Sequence, residues 1–341
     1  MTGRLGDCLV AATAALAAGQ LRTGEIATYR RIGGLGLLYT PSPCLSAIVL
    51  DALACLDPAS PESQWSALAA LDGRERRAIQ SAVGLIRGRL RRYLAWQEEP
   101  DATWCFYGRG SSLGPDAAST SIVSAALLAD ARRAGGRRAR AAVASLARFR
   151  RAPGRYVTFL ASLPANDDRR WQRLEGRGDD VDRVVNAEVL RVLALCGAPD
   201  EDLARCLLNE LDSGPRDCGS SEFTDPACFA HALARAWTAV PRPDVGRVSA
   251  TLVAWLRDRQ RADGSIGGPL ATALATRALA SLDQAGDALD AAEAWLIAGM
   301  TSRGEWAYEP YLAGGHGSAA FTSALAVSAL VACASARGGL S

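Results

Sequence analysis

Apolar positions recur along this 341-residue chain at helical spacing, and runs of β-branched alternation are short and rare. Six segments follow loops rich in Gly, Pro, Ser or Asp and are apolar almost all round: residues 44–55, 116–128, 182–195, 226–239, 269–282 and 318–333. A helix without a polar face must be covered on most sides. Between them lie six segments with one charged face and one apolar stripe: residues 5–18, 74–96, 130–150, 201–211, 245–261 and 288–298. The alternation predicts an inner and an outer layer. Six helices in each predict an all-α (α/α)6 barrel, with residues 1–341 as a single domain. An open α-solenoid would carry the same alternation.

Loop lengths give the barrel a polarity. Connections from an inner to an outer helix are mostly short, as at 196–200, 240–244 and 281–286. Connections back into an inner helix are long: 97–115, 151–181, 212–225 and 300–317. The long loops therefore gather where the inner helices begin. Loops on a rigid scaffold are where sites usually lie, and converging helix N-termini favour an anionic group. The mouth of a pocket is expected there.

A formal net charge of +2 leaves no global field to attract nucleic acid. The arginine-rich stretches 132–140 and 148–151 read as solvated helix faces. The nine cysteines are scattered and lack a CxxC pair, which fits reduced, buried thiols and a cytoplasmic protein. No apolar run is expected to span a membrane. Residues 9–18 mimic a signal-peptide core, but Arg4 is their only basic flank and Asp7 follows it, so they read as the first helix.

Six stretches carry a resemblance: "YTPSPCLSAIVLDAL" (39–53), "WCFYGRGSSLGPDAASTS" (104–121), "DDVDRVVNAEVLRVLAL" (179–195), "SEFTDPACFAHALARAW" (221–237), "DGSIGGPLATALATRAL" (263–279) and "GSAAFTSALAVSAL" (317–330). In order and number they resemble the prenyltransferase and squalene-cyclase repeat proteins, the class II terpene-cyclase-like barrels. The resemblance implies ring formation in specialised metabolism. The acid motif of that family, Asp-x-Asp-Asp, is similar to Asp116-Ala117-Ala118-Ser119, in which only Asp116 is kept. Ala118 stands at the place of the proton-donating middle acid, and alanine cannot donate a proton.

The expected chemistry is therefore base-assisted intramolecular closure with displacement of an anionic leaving group. Asp51 and Asp116 are the leading carboxylates, and the helix N-termini would hold the anion. Alternatively a relocated acid, Asp182 or Glu222, protonates an isoprenoid. A third reading makes the chain a non-catalytic subunit of a heteromeric biosynthetic complex, or a binding module.

Asp51 interrupts an otherwise apolar inner helix, where a carboxylate must be paired or face a cavity. Asp116 opens another, and its simplest role is an N-cap. Asp182 and Asn186 are four apart and share a helix face, while Asp179 and Asp180 read as caps. Asp225 before Pro226 reads as N-cap and N1, which leaves Glu222 free to reach the mouth. The last loop carries Tyr308, Glu309, Tyr311 and His316. Trp104, Phe106, Tyr107, Tyr156, Phe159, Trp171, Phe223 and Trp306 also fall in the long loops and can wall a pocket. Of these, Trp104, Tyr107, Asn186, Phe223, Tyr308, Tyr311 and His316 are the expected substrate contacts. "WCFYG" (104–108) and "GGHGS" (314–318) echo the zinc motifs of another (α/α)6 family, the lanthionine cyclases. Cys105 with His316, or Cys228 with His231, supplies two ligands where catalytic zinc needs three. No metal or cofactor is expected.

Overall fold

The computed structural model of the chain describes residues 2–33, 36–60, 62–130, 135–151, 154–159, 181–212, 220, 222–239, 244–282 and 286–338. Trp171, Asp179, Asp180 and Cys218 lie outside the described residues. Six helices form an inner ring: α2 (Pro43–Ala52), α4 (Ala117–Asp130), α6 (Arg183–Leu195), α8 (Pro226–Thr238), α10 (Pro269–Ser281) and α12 (Ala319–Gly338). Each packs against the next, and α12 packs against α2, so the ring closes. Six amphipathic helices clad it: α1 (Thr2–Gly19), α3 (Gly73–Trp96), α5 (Gly135–Ala147), α7 (Glu201–Asp212), α9 (Val245–Arg259) and α11 (Asp287–Ala298). Closure excludes the open solenoid. The expected outer segment 130–150 is shorter than predicted. Asp130 still belongs to α4, because the apolar run through Ala129 continues the inner helix.

The all-α expectation needs one addition. Among the described residues six short strands occupy the long loops: β1 (Tyr29–Ile32), β2 (Gly36–Tyr39), β3 (Arg150–Arg151), β4 (Arg155–Tyr156), β5 (Pro310–Leu312) and β6 (His316–Gly317). An antiparallel sheet in the order β2-β1-β6-β5 pairs Tyr29 with Gly317 and Arg30 with His316. It ties the first loop to the last and so fastens the seam of the ring at the mouth.

A repeated turn sets how each loop enters the ring. In four loops one residue both accepts from the N–H three positions on and donates to the carbonyl four positions on: Leu21, Glu99, Arg261 and Thr301. The fourth residue of that turn, three positions on, has positive φ and is Gly24, Ala102, Gly264 or Gly304. A Cβ at Gly264 would sit 2.3 Å from Ala291 O on α11, so the loop can lie this close to the outer helix only through glycine. Two residues further on, a buried side chain enters the core: Ile26, Trp104, Ile266 or Trp306. Its N–H donates to a hydroxyl on the first turns of the next inner helix, at Ser46, Thr120, Thr272 and Ser323 respectively. Gly154 and Tyr156 repeat the pattern, with the side chain of Asn186 as acceptor at 2.9 Å.

Among the described residues one helix, Ala319–Gly338, is long and apolar enough by composition to cross a membrane, which the sequence reading did not anticipate. It is α12, and its apolar window is 78% buried in the ring. Six of the eight described cysteines are buried.

Candidate active site

The inner helices begin at the mouth, and oxygen atoms of side chains cap them. Ser42 accepts from Leu45 N, Asp182 from Val184 N and Val185 N, Asp225 from Ala227 N, and Ser318 from Phe321 N. Glu309, from the last loop, accepts from Leu270 N at 2.7 Å and so caps α10 from outside its own segment. These bonds satisfy orphan amide groups that every helix start leaves. They also occupy most of the acids that the sequence placed at the mouth.

Asp116 caps α4 and differs from the others. Its Oδ1 accepts from Ser119 N at 2.6 Å, while Oδ2 is buried and makes no hydrogen bond. The residue is 2% exposed. Burial pushes its pKa up to about 6, against the opposing pull of the Ser119 amide. A carboxyl in this condition holds its proton far more readily than one in water.

Asp116 lines a cavity of about 280 Å³. Phe106, Tyr107, Leu113, Phe159, Phe223 and Leu312 give it an apolar wall. Its polar groups are Arg30, Cys44, Asp116, Thr158, Glu222 and His316. Ala118, at the place of the missing middle acid, also lines it. His316 packs against Phe106 and Tyr107 at ring-centroid distances of 5.4 and 5.9 Å. Its Nδ1 lies 3.4 Å from Ala313 O, and Nε2 is buried with no hydrogen bond. Burial, with the Arg30 charge, holds the His316 pKa below the usual imidazole range, so the ring is neutral at pH 7. The cavity thus brings together a protonatable acid, a neutral imidazole and an aromatic wall.

Four of the residues expected at the site line this cavity besides Asp116: Tyr107, Glu222, Phe223 and His316. The others lie elsewhere, and each has a structural task. Trp104 is the buried side chain of a repeated turn, with its indole N–H donating to Leu94 O; Trp306 does the same to Leu296 O. Asn186 bonds both backbone groups of Tyr156. Asp182 caps α6 and accepts from the Ser220 hydroxyl. Tyr308 donates to Gly315 O and lies under the guanidinium of Arg31, 5.0 Å from its ring centroid. Tyr311 is buried between Phe223 and Phe321.

Asp51 calls for the largest correction. It sits near the C-terminal end of α2, at the opposite end of the ring from Asp116, and lines a different cavity. Arg191 and Arg235 bind its two oxygens. Their charges outweigh desolvation and hold its pKa well below the usual carboxylate range, so it is ionised and engaged at any physiological pH. Asp51 and Asp116 do not act on one substrate atom. Sequence reasoning also missed Arg30, Cys44 and Thr158 as lining residues. The first two stand where a strand or a helix begins or turns inward, which the composition alone does not mark.

This architecture is that of the type II terpene cyclases. The chain matches a variant of the type II terpene cyclase MstE from Scytonema in complex with geranylgeranyl dihydroxybenzoate, its substrate, at a TM-score of 0.67 and 19% identity over 98% of both chains. A protein from Actinoplanes matches at a TM-score of 0.71 and 19% identity, over 97% of this chain and 99% of that one. The ent-copalyl diphosphate synthase from Streptomyces platensis matches at a TM-score of 0.54 and 17% identity, where 87% of this chain covers 50% of the synthase. No family model and no curated protein matches the sequence.

Proposed function

We propose that this chain is a cyclase that closes rings on a prenylated substrate, with Asp116 as the initiating acid. The observation that carries the reading is Asp116 itself: a buried carboxyl, raised to about 6, with one oxygen free of hydrogen bonds beside an aromatic-walled cavity. Protonating an alkene needs a neutral carboxylic acid, and burial is the means by which a fold keeps one neutral. The Ser119 amide holds Oδ1, which leaves Oδ2 to carry the proton. The alkene's π pair forms the new C–H bond as the Oδ2–H bond breaks and leaves its electrons on the carboxylate. The π pair of a second alkene then attacks the resulting cation and closes the ring. Aromatic faces stabilise the cationic intermediate. His316 Nε2, neutral and unbonded, is the acceptor in the same cavity for the proton released at the end. The prenyl class is carried over from MstE, whose substrate is a prenylated aromatic acid.

Base-assisted displacement of a leaving group is supported less well. Of its two carboxylates, Asp51 is locked in ion pairs in another cavity, and Asp116 is tuned toward its protonated form. The acid and the cavity both belong to this chain, which favours turnover by the chain itself over a non-catalytic subunit. The test is incubation with geranyl-, farnesyl- and geranylgeranyl-substituted dihydroxybenzoates, with products separated by chromatography and weighed by mass spectrometry. Cyclic isomers from the wild type, and none from Asp116→Asn, are expected. Equal turnover by both proteins would remove Asp116 from the reaction.

A further inference from the structure

The end of the ring opposite the mouth holds a second cavity, of about 250 Å³, that the cyclase reading leaves unused. Single arginines interrupt three inner helices that are otherwise mostly apolar there: Arg191 on α6, Arg235 on α8 and Arg277 on α10. All three line the cavity, together with the acids Asp51 and Glu62. Arg191 Nη2 lies 2.9 Å from Asp51 Oδ1 and 3.3 Å from Glu62 Oε1, and Arg235 takes the other oxygen of Asp51. These contacts use both acids. Arg277 is left with no described acid within ion-pair distance, and its Nη1 is buried without a hydrogen bond. Burial and the adjacent Arg235 charge push its pKa down to about 10. Glu188 lies 3.8 Å from Arg191, and burial raises its pKa against the pull of the neighbouring arginines.

Helix dipoles favour cations at this end of the ring. That accounts for the arginines as a set, but it gives Arg277 no acceptor. A partly buried guanidinium whose inner nitrogen has no acceptor is costly, and its donor fork matches tetrahedral oxyanions in pairs of hydrogen bonds. We propose that this cavity binds a free oxyanion of the phosphate class, with Arg277 as its principal ligand. The proposal does not depend on the cyclase reading, and its test needs no turnover.

Thermal unfolding of the full chain is followed while inorganic phosphate replaces chloride at constant ionic strength, for the wild type, Arg277→Gln and Arg235→Gln. Phosphate is expected to raise the wild-type Tm, with about an elevenfold gain in the folding constant at ten times its Kd. Arg277→Gln is expected to lose that response, and to be no less stable than the wild type without phosphate, since it removes an orphaned charge. Arg235→Gln is expected to unfold more easily in both buffers, since it strips a partner from Asp51. A wild-type Tm indifferent to phosphate, or an unchanged response in Arg277→Gln, overturns the proposal. So does binding to phosphatidic acid vesicles without any response to free phosphate, which would assign the chemistry to a lipid headgroup. Should Arg277→Gln fail to fold, calorimetric titration of the wild type with phosphate decides: saturable binding supports the site, and none overturns it.

Discussion

Replacing Asp116 by asparagine separates the two tasks this residue holds. Asparagine caps a helix about as well as aspartate, so the Ser119 N–H keeps its acceptor. What disappears is the ionised form of a carboxyl that is buried with no ion-pair partner. An aspartate in the unfolded chain titrates near pH ~3.9. In the fold, burial raises Asp116 to about 6. Between these values the folded state keeps a proton that the unfolded state has lost. The contribution of Asp116 to stability is therefore largest below about pH 4, falls as pH rises to about 6, and is flat above that. The gap is about 2 pKa units at ~1.36 kcal/mol each, so the ionised form costs the fold about 3 kcal/mol. Asp116→Asn should gain stability over the wild type by about 1–2 kcal/mol at pH ~5 and about 3 kcal/mol at pH ~7.5. Urea unfolding followed by tryptophan fluorescence at both pH values measures this. A loss of about 1 kcal/mol or more in the variant at pH ~7.5 would refute the reasoning, because it would show the carboxylate acting as an ordinary charged cap.

Three other expectations follow from the same geometry. Ala102 has φ 58° where the equivalent turns have glycine; Ala102→Gly should stabilise the chain by about 1 kcal/mol, less the extra entropy of glycine in the unfolded state, and a lowered Tm would count against the repeat. Asp51→Asn leaves Arg191 and Arg235 without their shared counter-charge, at an expected cost of about 3–5 kcal/mol in urea unfolding; a change below about 1 kcal/mol would show the pairs to be dispensable. On the acid reading, kcat/KM needs protonated Asp116 and should fall about tenfold per pH unit above about 6, whereas a rise across that range would restore the base-assisted alternative.

The ring was legible because its signal is physical and local. A segment such as Ala117–Asp130, apolar on nearly every face through Ala129, has nowhere to go but the inside of a layer. Asp51 was legible as an interior acid that needed a reason, but its reason was not. Its partners Arg191 and Arg235 lie far along the chain and meet it only once the ring closes. Trp104 and Asn186 looked like pocket residues because aromatic and amide side chains in loops and at helix starts often are. Their true setting is the repeated turn, whose trace is Gly24-x-Ile26, Gly154-x-Tyr156, Gly264-x-Ile266 and Gly304-x-Trp306. Ala102 at one turn, and the change among Ile, Trp and Tyr at the buried position, hide that period from a search for identical residues. The strands run for two to four residues, too few for alternation to show. The site depended on which acids were already used as caps, and sequence spacing alone did not separate Asp116 from Asp182 or Asp225.

The most direct test of the central claim is the mass of the product formed in deuterium oxide. A proton-initiated cyclase adds one proton and releases another, so the product is an isomer of the substrate. In deuterium oxide it should carry one deuterium on carbon, placed by NMR at the atom that Asp116 protonates. A product lighter than the substrate by a lost anion, or an isomer without solvent deuterium, would contradict proton delivery by Asp116.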